Sequence, residues 1–264
     1  MLNAEQLAHF ETFGYLVLRQ AFSPEETAEI SRAFDDVLAT DRRGQAFDGE
    51  KRQGVLGVIE QRPVLTRLVE SDLIFEAMEQ LLGPGFVWVG SDGNLYVGDT
   101  NWHPDTSYPS YRCIKVAFYL DPVGKETGCL RVVAGSHRAP LHDDLKLLRK
   151  VTDPAFTPFG VPARDVPAVP LESQPGDVVM FAQNTWHASF GGKTGRRMFT
   201  LNFAARPTLP EHEAILRKTY NGNVEATRTM MYTHTGRVYT DEFLNSDHPR
   251  VRSMTNKLVE NGFK

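Results

Sequence analysis

Apolar positions in the first third of the chain recur at helical spacing. Leu2, Leu7, Phe10 and Phe13 fall on one face, and Gly14 ends the run. Residues 15–18, Tyr-Leu-Val-Leu, form a short β-type run. Ser23-Pro24-Glu25-Glu26 then reads as a helix start. Serine sits at the cap, proline at the first helical position, and a glutamate follows three residues after the cap. Ile30, Phe34, Val37 and Leu38 continue that helix on one face. A second helical block spans 63–82, with Leu65, Leu68, Val69, Leu73, Ile74, Ala77, Met78 and Leu81 as its apolar positions. Gly83-Pro84-Gly85 stops it. From there the pattern changes to short β-prone runs at 86–89, 94–97, 114–120, 130–133, 178–181 and 198–203, separated by turn residues.

The remaining stretches are less regular. Residues 41–54 are polar and glycine-punctuated, an expected loop with the length of a lid. Residues 141–151 are expected to be helical. Five prolines within 152–170 argue against a regular element there. A helix is expected at 211–217, and 221–264 is expected to be a packed peripheral segment. Helices first and strands afterwards describe an α+β, mainly β fold whose second part is a sheet sandwich or jelly roll. The expected organisation is one domain over 1–264, with a core at about 86–207, a helical part at 1–85 and a peripheral part at 208–264.

Composition narrows the function. At 41% apolar residues a sizeable core is available, and a net charge of -4 gives no basic surface for nucleic acid. No apolar run reaches the length of a membrane span. The first residues, Met-Leu-Asn-Ala-Glu-Gln, lack the basic and apolar regions of a signal peptide. Cys113 and Cys129 have neither disulfide-framework nor C-x-x-C spacing, which fits partly buried thiols in a reducing cytoplasm. Among the histidines, His9, His142, His212, His234 and His248 have no ligand-like spacing and are expected to be exposed.

The candidate chemistry lies in Asn101-Trp102-His103-Pro104-Asp105-Thr106. In extended backbone, residues i and i+2 share a face, so His103 and Asp105 reach one pocket. Taken alone, H-x-D is weak. It gains weight from Trp186-His187, which follows a turn and the apolar run 178–181, and from Arg196-Arg197 at the start of the last run. Two imidazoles and one carboxylate are the 2-His-1-carboxylate set of non-haem Fe(II) oxygenases. An arginine at 196 or 197 is placed to hold the far carboxylate of a dicarboxylate co-substrate.

These residues resemble the phytanoyl-CoA dioxygenase (PhyH-like) family of Fe(II)/2-oxoglutarate oxygenases. The resemblance runs from about Glu5 to Pro207. It rests on Phe13-Gly14-Tyr15-Leu16-Val17-Leu18, Trp102-His103-Pro104-Asp105-Thr106, residues 128–138 (Gly-Cys-Leu-Arg-Val-Val-Ala-Gly-Ser-His-Arg), Pro175-Gly176-Asp177-Val178-Val179 and Trp186-His187. It implies a double-stranded β-helix, a cupin-like jelly roll, with flanking N-terminal helices. It also implies His103, Asp105 and His187 as iron ligands and Arg196 on the 5-carboxylate of 2-oxoglutarate. Counting back from Phe203 favours Arg196; a tighter turn would put Arg197 in that role. Phe118 and, on an earlier strand, Asn94 are expected beside the co-substrate. His137 is expected to be a satisfied loop histidine.

The activity implied is oxidation of a C–H bond in a small metabolite or natural-product intermediate, using O2 and releasing succinate and CO2. With Asp105 present, chloride has no evident ligand position, which makes hydroxylation the default. Arg112, Lys115 and Arg131 are candidates to pair with an anionic substrate group, and Trp102, Tyr108 and Tyr111 to form an aromatic wall. The alternative is a cupin-like isomerase or a metal-binding jelly roll without oxygenase activity.

Overall fold

The structure, a computed structural model, describes all residues except 107 and 151–156. Asn3 caps the first helix, α1 (Ala4–Phe13). Its side chain accepts from the Gln6 N–H at 2.8 Å, and the Gln6 side chain accepts from the Asn3 N–H at 2.9 Å. Gly14 closes α1 at φ 79°, where a Cβ would lie 2.4 Å from His137 Nδ1. Only glycine fits that conformation and that approach. Strand β1 (Tyr15–Leu18) and helix α2 (Pro24–Asp41) follow, the latter with the Ser23/Glu26 capping box expected from sequence. The 63–82 block is two helices, α3 (Pro63–Glu70) and α4 (Asp72–Leu82). Ser71 between them has extended backbone, and its side chain caps α4. Serine competes with helix hydrogen bonding in this way, a break that the continuous apolar pattern conceals.

The strands are β2 (Gln53–Leu56), β3 (Val87–Tyr96), β4 (Thr100–His103), β5 (Cys113–Tyr119), β6 (Leu130–Val132), β7 (Val169–Leu171), β8 (Val178–Ala182), β9 (His187–Ser189) and β10 (Arg196–Ala204). The runs expected at 86–89 and 94–97 are therefore one strand. β2, β4, β7 and β9 are additional to the runs read from sequence. β7 corrects the reading of the proline-rich stretch. It lies at the edge of its sheet, where Pro170 needs no outward N–H partner. Short helical turns occupy Pro158–Gly160 and Ala163–Asp165. Helix α5 (Leu141–Asp144) continues into a tight turn over Leu145–Lys150. Residues 151–156, part of the stretches read as helix and as irregular chain, lie outside the described residues.

Among the described residues, six strands form the larger sheet in the order β1-β8-β5-β10-β3-β2, and four form the smaller in the order β4-β9-β6-β7. Every pairing is antiparallel. This is the two-sheet jelly roll of the expected class. Ala117, Tyr119, Val179, Phe181 and Met198 face the smaller sheet and pack on Leu130, Val132 and Leu171. Their neighbours Ile114, Val116, Phe118, Phe199, Leu201 and Phe203 face the helices. Because both faces of the larger sheet are covered, its strands read as apolar runs rather than as alternation.

The C-terminal part is not peripheral. Helix α6 (Pro210–Thr229) extends well beyond the expected 211–217. With α7 (Asp241–Leu244) and α8 (Pro249–Glu260), the tail places Met231, Tyr239, Phe243, Val251, Met254 and Leu258 in the main core. Two acidic side chains fasten it. Asp41 accepts from the N–H groups of Tyr232 and Thr233 and from the Thr233 hydroxyl. Glu60 accepts from the Thr240 N–H at 2.7 Å and from Trp88 Nε1 at 3.3 Å. No helix among the described residues is long and apolar enough to cross a membrane.

Burial pushes the Glu60 carboxyl up to about 8, against smaller lowering effects of its hydrogen bonds to Thr240 and Trp88. A carboxyl whose pKa is raised on folding binds its proton more tightly in the native state. Native stability therefore falls as pH rises from the unfolded value near 4.5 through about 8. The melting temperature should drop across that window, and Glu60→Gln should flatten the drop. An unchanged slope in the variant would exclude Glu60 as its source.

Candidate metal centre

β4 and β9 pair antiparallel with His103 opposite His187, and this register brings the two imidazoles together. Their ring centroids are 4.3 Å apart. Each ring is fixed by the carbonyl two residues before it. His103 Nδ1 lies 2.8 Å from Asn101 O, and His187 Nδ1 lies 2.9 Å from Thr185 O. A carbonyl only accepts, so each Nδ1 carries the proton and each Nε2 turns a lone pair inward. Beyond β4 the chain bends, and the Asp105 N–H donates to Gln183 O at 2.8 Å. That bond aims the carboxylate between the rings. Asp105 Oδ1 is 3.8 Å from His103 Nε2, and Oδ2 is 3.8 Å from His187 Nε2. The three ligand atoms lie within 4.8 Å of one another.

Protonation suits a cation. Burial pushes the His187 imidazole down to about 4, partly opposed by Asp105, so the ring is neutral at pH 7. Burial alone would raise Asp105. The Lys115 ammonium, His187 and His103 outweigh it and hold the carboxyl down at about 2. Lys115 Nζ sits 2.9 Å from Asp105 Oδ1. Two imidazoles and one carboxylate, with the remaining directions facing a cleft of about 590 Å³, form an open three-ligand site.

Arg196 extends into the same cleft and is 2% exposed. Its Nη2 donates to Ser189 Oγ at 3.2 Å, and its Cζ lies 5.0 Å from the Tyr96 ring centre. Nε and Nη1 are buried without a hydrogen-bond partner. Gly128 and Gly192 make the room: a Cβ on either would lie 2.1 Å or 1.2 Å from Nη1. A buried guanidinium with free donors is costly unless an acceptor joins it, and a carboxylate matches its fork. Arg197 points the other way and pairs with Asp35 and Asp121.

Other expected site residues lie elsewhere. Phe118 faces the helices and stacks on Phe199 with centroids 4.5 Å apart, while its neighbour Tyr119 lines the cleft. One residue of strand alternation decides this. Asn94 is fully buried behind the lining. Its Oδ1 accepts from Arg52, and its Nδ2 donates to Asp92 at 2.6 Å. Trp102 faces away from His103, packs on Phe190 and donates to Ala163 O. Arg112 pairs with Glu11, and Arg131 donates to the carbonyls of Arg164 and Lys125. Tyr108 accepts from Lys218 Nζ at 2.8 Å and lines a neighbouring cavity with Tyr111. His142 and His212, expected to be exposed, are 6% and 8% exposed. His142 caps local carbonyls and His212 stacks on Tyr111. His137 bonds the Glu11 carbonyl through Nε2, but its buried Nδ1 has no partner.

Sequence reading did not identify Arg52, Asp92, Tyr96, Tyr119, Ser189 or Thr200, which also line the cleft. Alternation along β3, β5 and β10, counted from Arg196, is the signal that marks most of them.

The phytanoyl-CoA dioxygenase (PhyH) family model matches residues 10–199. The ectoine dioxygenase of Sphingopyxis alaskensis is 26% identical over 228 residues, covering 73% of this chain and 72% of that protein. The crystal structure of EctD from S. alaskensis with 2-oxoglutarate and 5-hydroxyectoine superposes with a TM-score of 0.59 at 24% identity, covering 77% of this chain and 76% of that one. The non-heme alpha ketoglutarate dependent carbocyclase SnoK, from nogalamycin biosynthesis, gives a TM-score of 0.59 at 21% identity, covering 81% and 90%. At these identities the superpositions establish the fold.

His187→Ala should weaken binding of a divalent metal by about a hundredfold or more, since even outer partners of such ligands matter tenfold to a hundredfold. Calorimetric titration with Fe(II) under anaerobic conditions measures this. Undiminished affinity would remove His187 from the site.

Proposed function

The chain belongs to the phytanoyl-CoA dioxygenase (PhyH) family and is a 2-oxoglutarate-dependent non-haem iron dioxygenase; we propose that His103, Asp105 and His187 hold its iron, that Arg196 holds the far carboxylate of 2-oxoglutarate, and that it hydroxylates a C–H bond of a small metabolite. The observation that carries this reading is the buried Arg196 guanidinium, unpaired at Nε and Nη1, in the cleft that also contains the three ligands. An isomerase has no need of such a clamp.

Bound iron, together with 2-oxoglutarate and O2, supplies the oxidising power, with release of succinate and CO2. The protein's own work is placement. The Asn101 and Thr185 carbonyls keep both imidazoles in the metal-binding tautomer. Asp105 stays ionised and occupies the third ligand position, which favours hydroxylation over transfer of a halide. Arg196, braced by Ser189 and Tyr96, orients the co-substrate. Leu130, Phe181 and Met198 give that end of the cleft an apolar wall that excludes water. We take residues 1–264 as one catalytic domain and place its reaction in the cytoplasm, which the two free buried thiols support.

Anaerobic titration with Fe(II) and then 2-oxoglutarate should produce the weak visible charge-transfer band of the chelate. Arg196→Ala should shift the 2-oxoglutarate midpoint by about a hundredfold, the scale of a lost buried charge pair. Arg197→Ala should leave that midpoint in place and lower the melting temperature. Iron binding without a band would argue for a non-oxygenase metal site, and a reversal of the two variants would exchange the arginines' roles.

A further inference from the structure

Five charged side chains line the iron cleft: Arg52, Asp92, Asp105, Lys115 and Arg196. Arg52 and Asp92 are matched with each other. Arg52 Nη2 lies 3.8 Å from Asp92 Oδ1, Asn94 bridges the two, and the Arg52 guanidinium rests 4.2 Å from the centre of the Tyr96 ring. Lys115 is matched with Asp105, and its side chain is 18% exposed. Arg196 has no anion.

Charges change partners once the site is loaded. Fe(II) and Arg196 together bring three positive charges. Asp105 and the two carboxylates of 2-oxoglutarate bring three negative ones. Asp105 then balances the metal, and among the described lining residues one positive charge remains in excess: Arg52 and Lys115 share Asp92, and Lys115 has lost the carboxylate it touches directly. A half-buried ammonium in that condition is incompletely solvated, so a further anion is stabilised beside it.

The sheet register shows that this anion is not the co-substrate's far carboxylate. On β10, Lys115 stands opposite Asn202, whereas Arg196 begins the strand. At about 3.3 Å per residue the two backbone positions are roughly 20 Å apart along the sheet, and both side chains run into the cleft that holds the ligand triad. Arg196 marks the co-substrate end and Lys115 the opposite end. On the Lys115 side a second cavity, of about 1050 Å³, meets the first at Asp105. Val89, Tyr111, Cys113, Ile215 and Leu216 give it an apolar lining, and Lys218 adds a further cation. Ile215, Leu216 and Lys218 belong to α6.

We propose that Lys115 anchors a carboxylate of the molecule that is oxidised, with that molecule's apolar body in the cavity between Tyr111 and α6. The proposal rests on the iron and 2-oxoglutarate reading above. It names the substrate class as a small carboxylic acid with a hydrophobic body.

The test uses the full chain loaded anaerobically with Fe(II) and 2-oxoglutarate. Acetate, hexanoate and 3-phenylpropanoate are each titrated beside their primary amides, and binding is read from perturbation of the visible band and from the melting temperature. The two larger acids should bind more tightly than their amides by about tenfold, the worth of one charge-assisted hydrogen bond, and more tightly than acetate. Lys115→Met should abolish the preference for acid over amide, and Lys115→Arg should restore it. A normal chelate band with no acid preference in any pair overturns the proposal and leaves the oxygenase reading standing. A preference that survives in Lys115→Met also overturns it. If Lys115→Met instead weakens Fe(II) or 2-oxoglutarate binding, the lysine serves those ligands and the proposal falls. Absence of the band from the unmodified protein overturns both readings.

Discussion

The pairing of β4 with β9 is the constraint on which the rest of the site depends. His103 and His187 are far apart in sequence, yet their backbones stand opposite each other, and each ring is locked by a carbonyl two residues upstream. The Asp105 N–H on Gln183 O ties the third ligand to the chain between β8 and β9. A slip of one residue in this register would turn one imidazole to the opposite face, where Trp102 and Trp186 pack with Leu148 and Phe190. The aromatic cluster on that outer face and the polar cluster on the inner face therefore specify the same alignment.

Electrostatics inside the sandwich follow from that geometry. The cleft collects cations and carboxylates that cannot all be solvated. At about 3 Å and an effective dielectric near 20, the Lys115–Asp105 attraction is roughly 6 kcal/mol before desolvation is subtracted. Burial alone would lower the Lys115 pKa, but Asp105 and Asp92 outweigh it and raise it, so Lys115 stays an ammonium. Arg196 is the contrasting case. Its charge is held by covalent attachment to a well-paired strand, and its free donors are a local cost that the surrounding sheet tolerates.

The rigid support for these groups comes from the larger sheet and its helical cover. Phe34, Phe199 and Phe118 form a chain of ring contacts from α2 onto the helix-facing side of the sheet, and Phe86, Trp88 and Phe203 form another towards α7. The C-terminal segment closes this layer and is pinned through Asp41 and Glu60. α6 then returns over Tyr108 and Tyr111 to form one side of the second cavity. The same tail that completes the core thus shapes the space next to the ligand triad.

Local chemistry was legible in the sequence. The cap at Ser23, the stop at Gly14, the apolar runs of β5, β8 and β10 and the two-sheet class follow from rotamer, capping and alternation rules that act over a few residues. So did the idea that His103 and Asp105 share a face with a distant histidine and an arginine. Tertiary structure alone decided the rest. Phe118 and Tyr119 are adjacent and both aromatic, and only the packing of Phe199 settles which of them faces the cleft. Arg112 and Arg131 look equally available as charges, yet a glutamate on α1 and carbonyls of two loops take them. Asn94 keeps a polar side chain on a strand, but Arg52 and Asp92 claim its hydrogen bonds. The mixed 208–264 sequence gave no sign that it completes the core. Such outcomes depend on partners distant in sequence, whose identity no local pattern carries.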